Sequence, residues 1–126
     1  GIKKSLSDIR SIGGDYAISI GGQAGDAPWV VTENQNALEN FYNDVISTYN
    51  LKRLDLDIEE SNQDQDQNII NARAIKNVQD KTDIEITLTI PIMLLIFVSM
   101  WAVLADIADM DATTGGLSVL CEDLTP

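Results

Sequence analysis

Leu54-Asp55-Leu56-Asp57-Ile58-Glu59 sets an acid at every second position, with only Leu and Ile between the acids. Strands send alternate side chains to opposite faces. The stretch therefore predicts a buried strand whose aliphatic face packs into a core while Asp55, Asp57 and Glu59 line one common cavity. Like charges about two residues apart on a strand lose hydration and oppose each other's ionisation. Such a cost is tolerated where chemistry needs a proton held ready.

Two other readings of the alternation stand beside this one. An edge strand with one solvated face would use its acids to keep the sheet soluble and discourage pairing. A calcium loop would need Gly at its sixth position and an acid at its twelfth. Counted from Asp55, those places hold Glu60 and Asp66; counted from Asp64, they hold Ile69 and Ile75. Neither run meets both requirements, so no metal is expected.

Outward from this strand, the chain alternates element types. On the amino-terminal side Tyr16-Ala17-Ile18-Ser19-Ile20 predicts a short strand that ends in Gly21-Gly22 and a loop to Pro28. Loops at the carboxyl ends of strands are where α/β sites collect. Leu38, Phe41, Tyr42, Val45, Ile46 and Tyr49 recur at helical spacing and predict one apolar stripe laid on a sheet. On the carboxyl side, Ser61-Asn62-Gln63-Asp64 supplies an N-cap for a helix to about Asp80, with Ile70, Ala74 and Val78 as its stripe and Ile69 and Ile75 beside it. Ile84, Ile86, Leu88 and Ile90 then alternate with Glu85, Thr87 and Thr89 until Pro91 ends the strand. Strand, helix, strand, helix, strand argues for an α/β fold of parallel units, either a doubly wound sheet or part of a (β/α) barrel.

Beyond this pattern the composition changes. Residues 93–126 contain no Lys, Arg, Asn or Gln. The stretch Ile86–Ala105 carries no charge over 20 residues, the length of a membrane span. Its first third has a strand's alternation and a Pro, and no basic residue flanks it. A buried helix from about Leu94 to Ala105 is the preferred reading, with a small membrane-anchored protein as the alternative. Gly115-Gly116 marks a turn before Leu117–Cys121.

Bulk composition narrows the function. With 126 residues the chain has room for a single domain. Twenty acids against 8 bases give a net charge of -12, which repels nucleic acid and anionic membranes. The chain has no His, which removes Ser-His-Asp and Cys-His catalysis and His-based zinc sites. Carboxylates must do any acid–base work, and no cofactor is implied. Cys121 is alone, so no internal disulfide is expected. Gly1-Ile2-Lys3-Lys4-Ser5 lacks an apolar core of signal-peptide length, so export is either absent or already completed by cleavage.

Two motifs resemble the glycoside hydrolase family 18 chitinases. Ser19-Ile20-Gly21-Gly22 is similar to the family's S-x-G-G segment on its third barrel strand, and Asp55 to Glu59 is similar to its D-x-D-x-E segment on the fourth. Thr87-Leu88-Thr89-Ile90-Pro91 is similar to the fifth, so the resemblance covers about residues 5–92. It implies a partial (β/α) barrel and a hydrolase of chitin or N-acetylglucosamine oligosaccharides. Glu59 would be the general acid and Asp57 its partner, with Asp55 sharing a proton with Asp57. The substrate's own N-acetyl oxygen would attack the anomeric carbon, the substrate-assisted exception to the two-carboxylate scheme. Ser19, Gly21 and Gly22 would border the substrate. Trp29, in the loop after Gly22, has an aromatic face suited to a sugar ring; a Trp that packs in the core or anchors the loop is the more frequent alternative. The resemblance also implies secretion.

The pattern departs from the family at three places. Lys52 stands where the longer motif usually has another Asp, Met110-Asp111-Ala112 has Ala where a Tyr is expected, and no Trp follows to form the floor of the site. A closed barrel takes about 250 residues, so residues 1–126 are expected to form a single partial catalytic domain, with residues 92–126 diverging from the family pattern. A truncated or frame-shifted product would have this form. Its open edges favour self-association. A non-catalytic chitin-binding or assembly module is the alternative to an enzyme.

Overall fold

A computed structural model describes residues 1–32, 34–59, 64–91 and 117–122. In chain order the elements are α1 (Ile2–Ser11), β1 (Ile18–Gly21), α2 (Pro28–Val31), α3 (Gln35–Tyr49), β2 (Arg53–Asp57), α4 (Gln65–Lys81), β3 (Glu85–Pro91) and β4 (Leu117–Glu122). The strands form one sheet in the order β1-β2-β3-β4, and every neighbouring pair is parallel. A parallel pair needs a crossover connection, which α2 and α3 supply between β1 and β2 and α4 between β2 and β3.

The aliphatic positions of the strands build the core. Leu54, Leu56 and Ile58 are wholly buried and cluster with Ile86 and Leu88 of β3, Leu38 and Tyr42 of α3, and Ala74, Ile75 and Val78 of α4. Each crossover helix starts where its sequence provides an acceptor. Asn34 takes the Ala37 N–H and Asp64 the Gln67 N–H, each covering one of the donors that a helix start leaves open. At its other end α3 stops at Asn50, whose left-handed backbone turns the chain towards β2.

The helix stripes differ in detail from expectation. Phe41 is 39% exposed, and Ile70 is only half-buried. Asn68 and Asn71 are buried on α4 instead. Asn71 belongs to a polar seam between α3 and α4: the buried Tyr42 hydroxyl donates to Asn71 Oδ1 at 2.6 Å, and Asn77 Nδ2 donates to Glu39 Oε1 at 2.6 Å. Two helices that share polar partners place Asn on the inner face where periodicity alone expects aliphatic residues.

Helix α1 was not expected. It buries none of its residues, although Ile2, Leu6 and Ile9 recur at helical spacing, and it is tied to the rest of the chain through Arg10. That guanidinium stacks 4.4 Å over the Tyr16 ring, pairs with Asp15 and donates to the carbonyl of Asn50 at the end of α3. Residues 86–91 belong to β3, so the uncharged stretch to Ala105 is not one continuous helix. Among the described residues no helix is long and apolar enough to cross a membrane. The expected helix at 94–105, the turn at Gly115-Gly116 and Met110-Asp111-Ala112 lie outside the described residues.

Candidate active site

The register of the sheet assembles the site in rows. Ser19, Asp55 and Thr87 stand side by side across β1, β2 and β3; Gly21, Asp57 and Thr89 form the next row. β2 is paired on both sides and Asp55 is only 8% exposed, so the reading of a solvated edge strand does not hold. One row earlier, Arg53 and Glu85 neutralise each other in an ion pair at 2.8 Å.

Asp55 accepts from three hydroxyls. Ser19 Oγ donates to its Oδ2 at 2.6 Å, Thr87 Oγ1 to its Oδ1 at 2.6 Å, and Thr89 Oγ1 lies within 3.1 Å of both oxygens. Asp57 is different. Its Oδ1 is buried without a hydrogen-bond partner among the described residues, and burial, then the charge of Asp55, push its carboxyl above the ordinary range. β2 ends at Asp57, yet the Ile58 N–H still reaches the Thr89 carbonyl at 2.8 Å. This contact carries the strand's direction on towards Glu59, which is half-buried two residues past the strand end.

Gly21 and Gly22 bring the end of β1 against Asp57. Both have positive φ, the Gly22 N–H donates to the Asp57 carbonyl at 3.0 Å, and a Cβ on Gly22 would sit 3.3 Å from Asp57 Oδ2. The diglycine is therefore a place of close backbone approach beside the acids.

Trp29 follows the core alternative and not the stacking one. It is 0% exposed, packed in the core with its ring edge facing Gly21, and so offers no face for stacking on a sugar. The short helix α2 turns it inward, because an indole is the largest apolar group available to fill the space behind the diglycine. Thr87 and Thr89 were missed as site residues. Their signal lay in the alternation of β3, where Glu85, Thr87 and Thr89 occupy the face opposite Ile86 and Leu88.

Known proteins are similar to this chain. The chain is 42% identical over 96 residues to a probable bifunctional chitinase/lysozyme of Escherichia coli, an overlap of 70% of this chain and 10% of that protein. It is 39% identical over 95 residues to endochitinase 11 of Metarhizium anisopliae, an overlap of 70% of this chain and 18% of that protein. Over about 70% of its length the chain belongs to the glycoside hydrolase family 18, chitinase-like proteins. No family model matches it. Structures of catalytic-site mutants of active domain 2 of the Pyrococcus furiosus chitinase are similar to this chitinase-like fold. One aligns with a TM-score of 0.64 and 27% identity over 71% of this chain and 29% of that one. Another, complexed with chito-oligosaccharides, aligns with a TM-score of 0.73 and 25% identity over 84% of this chain and 36% of that one. The chitinase-like chain thus spans a minor part of the length of each relative.

Proposed function

We propose that this chain contributes the acid-bearing strands of a hydrolase that cleaves β-1,4-linked N-acetylglucosamine chains with retention. The observation that carries the reading is the pair of adjacent acids in unlike environments, Asp55 met by three hydroxyl donors and Asp57 with a buried oxygen that has no partner among the described residues, two residues before Glu59. Glu59 protonates the glycosidic oxygen as the bond to the anomeric carbon breaks. The substrate's acetamido oxygen forms the new bond to that carbon, giving a cyclic oxazolinium ion. Asp57, carrying a proton, orients the acetamido group, and Asp55 stabilises Asp57 from behind. Ionised Glu59 then takes a proton from water, which opens the oxazolinium ring with net retention. Ser19, Gly21 and Gly22 shape the edge of the cleft. Because a chitin polymer is too large to enter a cell intact, the proposed place of action is outside it.

The test is turnover of a chromogenic N-acetylglucosamine oligomer. Glu59→Gln is expected to lower the rate by about 10²- to 10⁴-fold, the usual contribution of general acid–base catalysis. Equal, background-level rates for wild type and variant would overturn the catalytic reading.

A second reading is a non-catalytic chitin-binding or assembly module. It is favoured by the open sheet, in which β1 and β4 each pair on one side only among the described residues. Unpaired strand edges invite pairing with another chain or a second copy. Retention on chitin without turnover, or a concentration-dependent rise in mass by light scattering, would favour this reading.

A further inference from the structure

Thr89 faces Asp57 across the β2–β3 register, yet its hydroxyl bonds to Asp55. This diagonal contact divides the acids unequally. Asp55 gathers three hydroxyls, from Ser19, Thr87 and Thr89, at 2.6 to 3.1 Å. Asp57 is left with a buried Oδ1 that nothing among the described residues meets. An ionised carboxylate accepts only, and donors that converge on it favour that form. A buried oxygen without a donor favours the neutral acid.

We infer that Thr87 and Thr89 are positioning residues, whose hydroxyls make Asp55 the accepting, charged member of the acidic pair and leave the pair's proton to Asp57. The inference deepens the hydrolase reading and rests on it for its consequence, a proton kept beside the acetamido group. The other groups on this face do not supply the same bias. Arg53 and Glu85 pair with each other, Ser19 and Gly21 of β1 are uncharged, and β4 places uncharged Ser118 and Leu120 in register with Thr87 and Thr89. The raised titration of Asp57 agrees with the assignment.

The test uses the whole 126-residue chain with ¹³C-labelled Asp carboxyls, following each by NMR through a pH series in light and heavy water. In the wild type the pair's proton is expected on Asp57. A proton found on Asp55 overturns the inference, whatever the variants do. Thr89→Val, which keeps the β-branched shape and removes the hydroxyl, should reduce the share of the proton carried by Asp57; Thr87→Val should do the same, and Thr89→Ser should restore it. Unchanged proton shares in Val variants with native amide spectra overturn it as well. The readout needs no substrate, so a chain inert on oligomers would sink the hydrolase reading and leave this measurement standing. If the chain turns over substrate, the pH profile of kcat should move with Asp57 in Thr89→Val.

Discussion

Gly21 stands opposite Asp57 in the β1–β2 pair, so close that a Cβ built on it would overlap the Asp57 carbonyl oxygen and lie 2.8 Å from Cη2 of Trp29. Its φ of +111° is strained for any side chain. Gly21→Ala should therefore lose about 1–3 kcal/mol from backbone strain alone, with the overlap added. Gly25 has φ of +93° and open space around it, so Gly25→Ala should show the backbone part only. Urea midpoints of the two variants check this; equal losses would mean the contact with Asp57 and Trp29 relaxes freely.

Asp57 links stability to pH. Burial and then the charge of Asp55 raise its folded pKa above the usual carboxylate range. The contribution to stability is therefore full below the unfolded pKa and is lost as pH rises through the folded value. Asp57→Asn cannot ionise and escapes that loss. Measured against wild type by urea unfolding, the variant should gain relative stability as pH rises from the unfolded pKa, and a difference independent of pH would count against this account.

Glu39 works in the opposite sense. Hydrogen bonds from Gln35 and then Asn77, with Lys81 at 3.7 Å, hold its carboxyl below the usual range of a glutamate. Its contribution is present above the unfolded pKa and is lost as pH falls through the folded value. Because bonds to a charged acceptor exceed neutral ones by about 1 kcal/mol, Glu39→Gln should be less stable than wild type by about that amount at neutral pH. The two proteins should converge in acid, as followed by thermal unfolding across pH.

Tyr42 and Asn71 form one buried unit. The hydroxyl donates to Asn71 Oδ1 at 2.6 Å, and burial raises its pKa well above the usual phenol range. Tyr42→Phe should cost about 1–3 kcal/mol, because it leaves a buried amide oxygen without its donor. Asn71→Leu in that background should recover part of the loss, since removing both polar groups is cheaper than removing one. A double-mutant cycle with no coupling would separate the two residues.

Much of this architecture was legible in the chain. The period of two in Leu54–Glu59 and Ile84–Ile90 and the helical spacing from Leu38 to Tyr49 place β2, β3 and α3 where they occur. Asp64 marked the start of α4 because its carboxylate caps the helix it precedes. Trp29 was legible only as an aromatic in a loop. Nothing within the loop itself states that α2 will turn the indole under Gly21. Asn71 and α1 escaped notice for a related reason: each is held by partners distant in sequence, and polar residues at helical spacing read as surface until those partners are known.

The sequence by itself determined which side chains share a face, because alternation and helical period are properties of a single segment and its backbone geometry. It thus set Asp55, Asp57 and Glu59 on the side away from Leu54, Leu56 and Ile58. Only the tertiary structure decided how unlike those acids are. Parallel pairing carried Ser19, Thr87 and Thr89 to Asp55 across 32 to 36 residues of chain and brought none of those hydroxyls to the buried oxygen of Asp57. The state of a buried carboxyl depends on its donors and its hydration, and both are supplied by neighbours that only folding brings near.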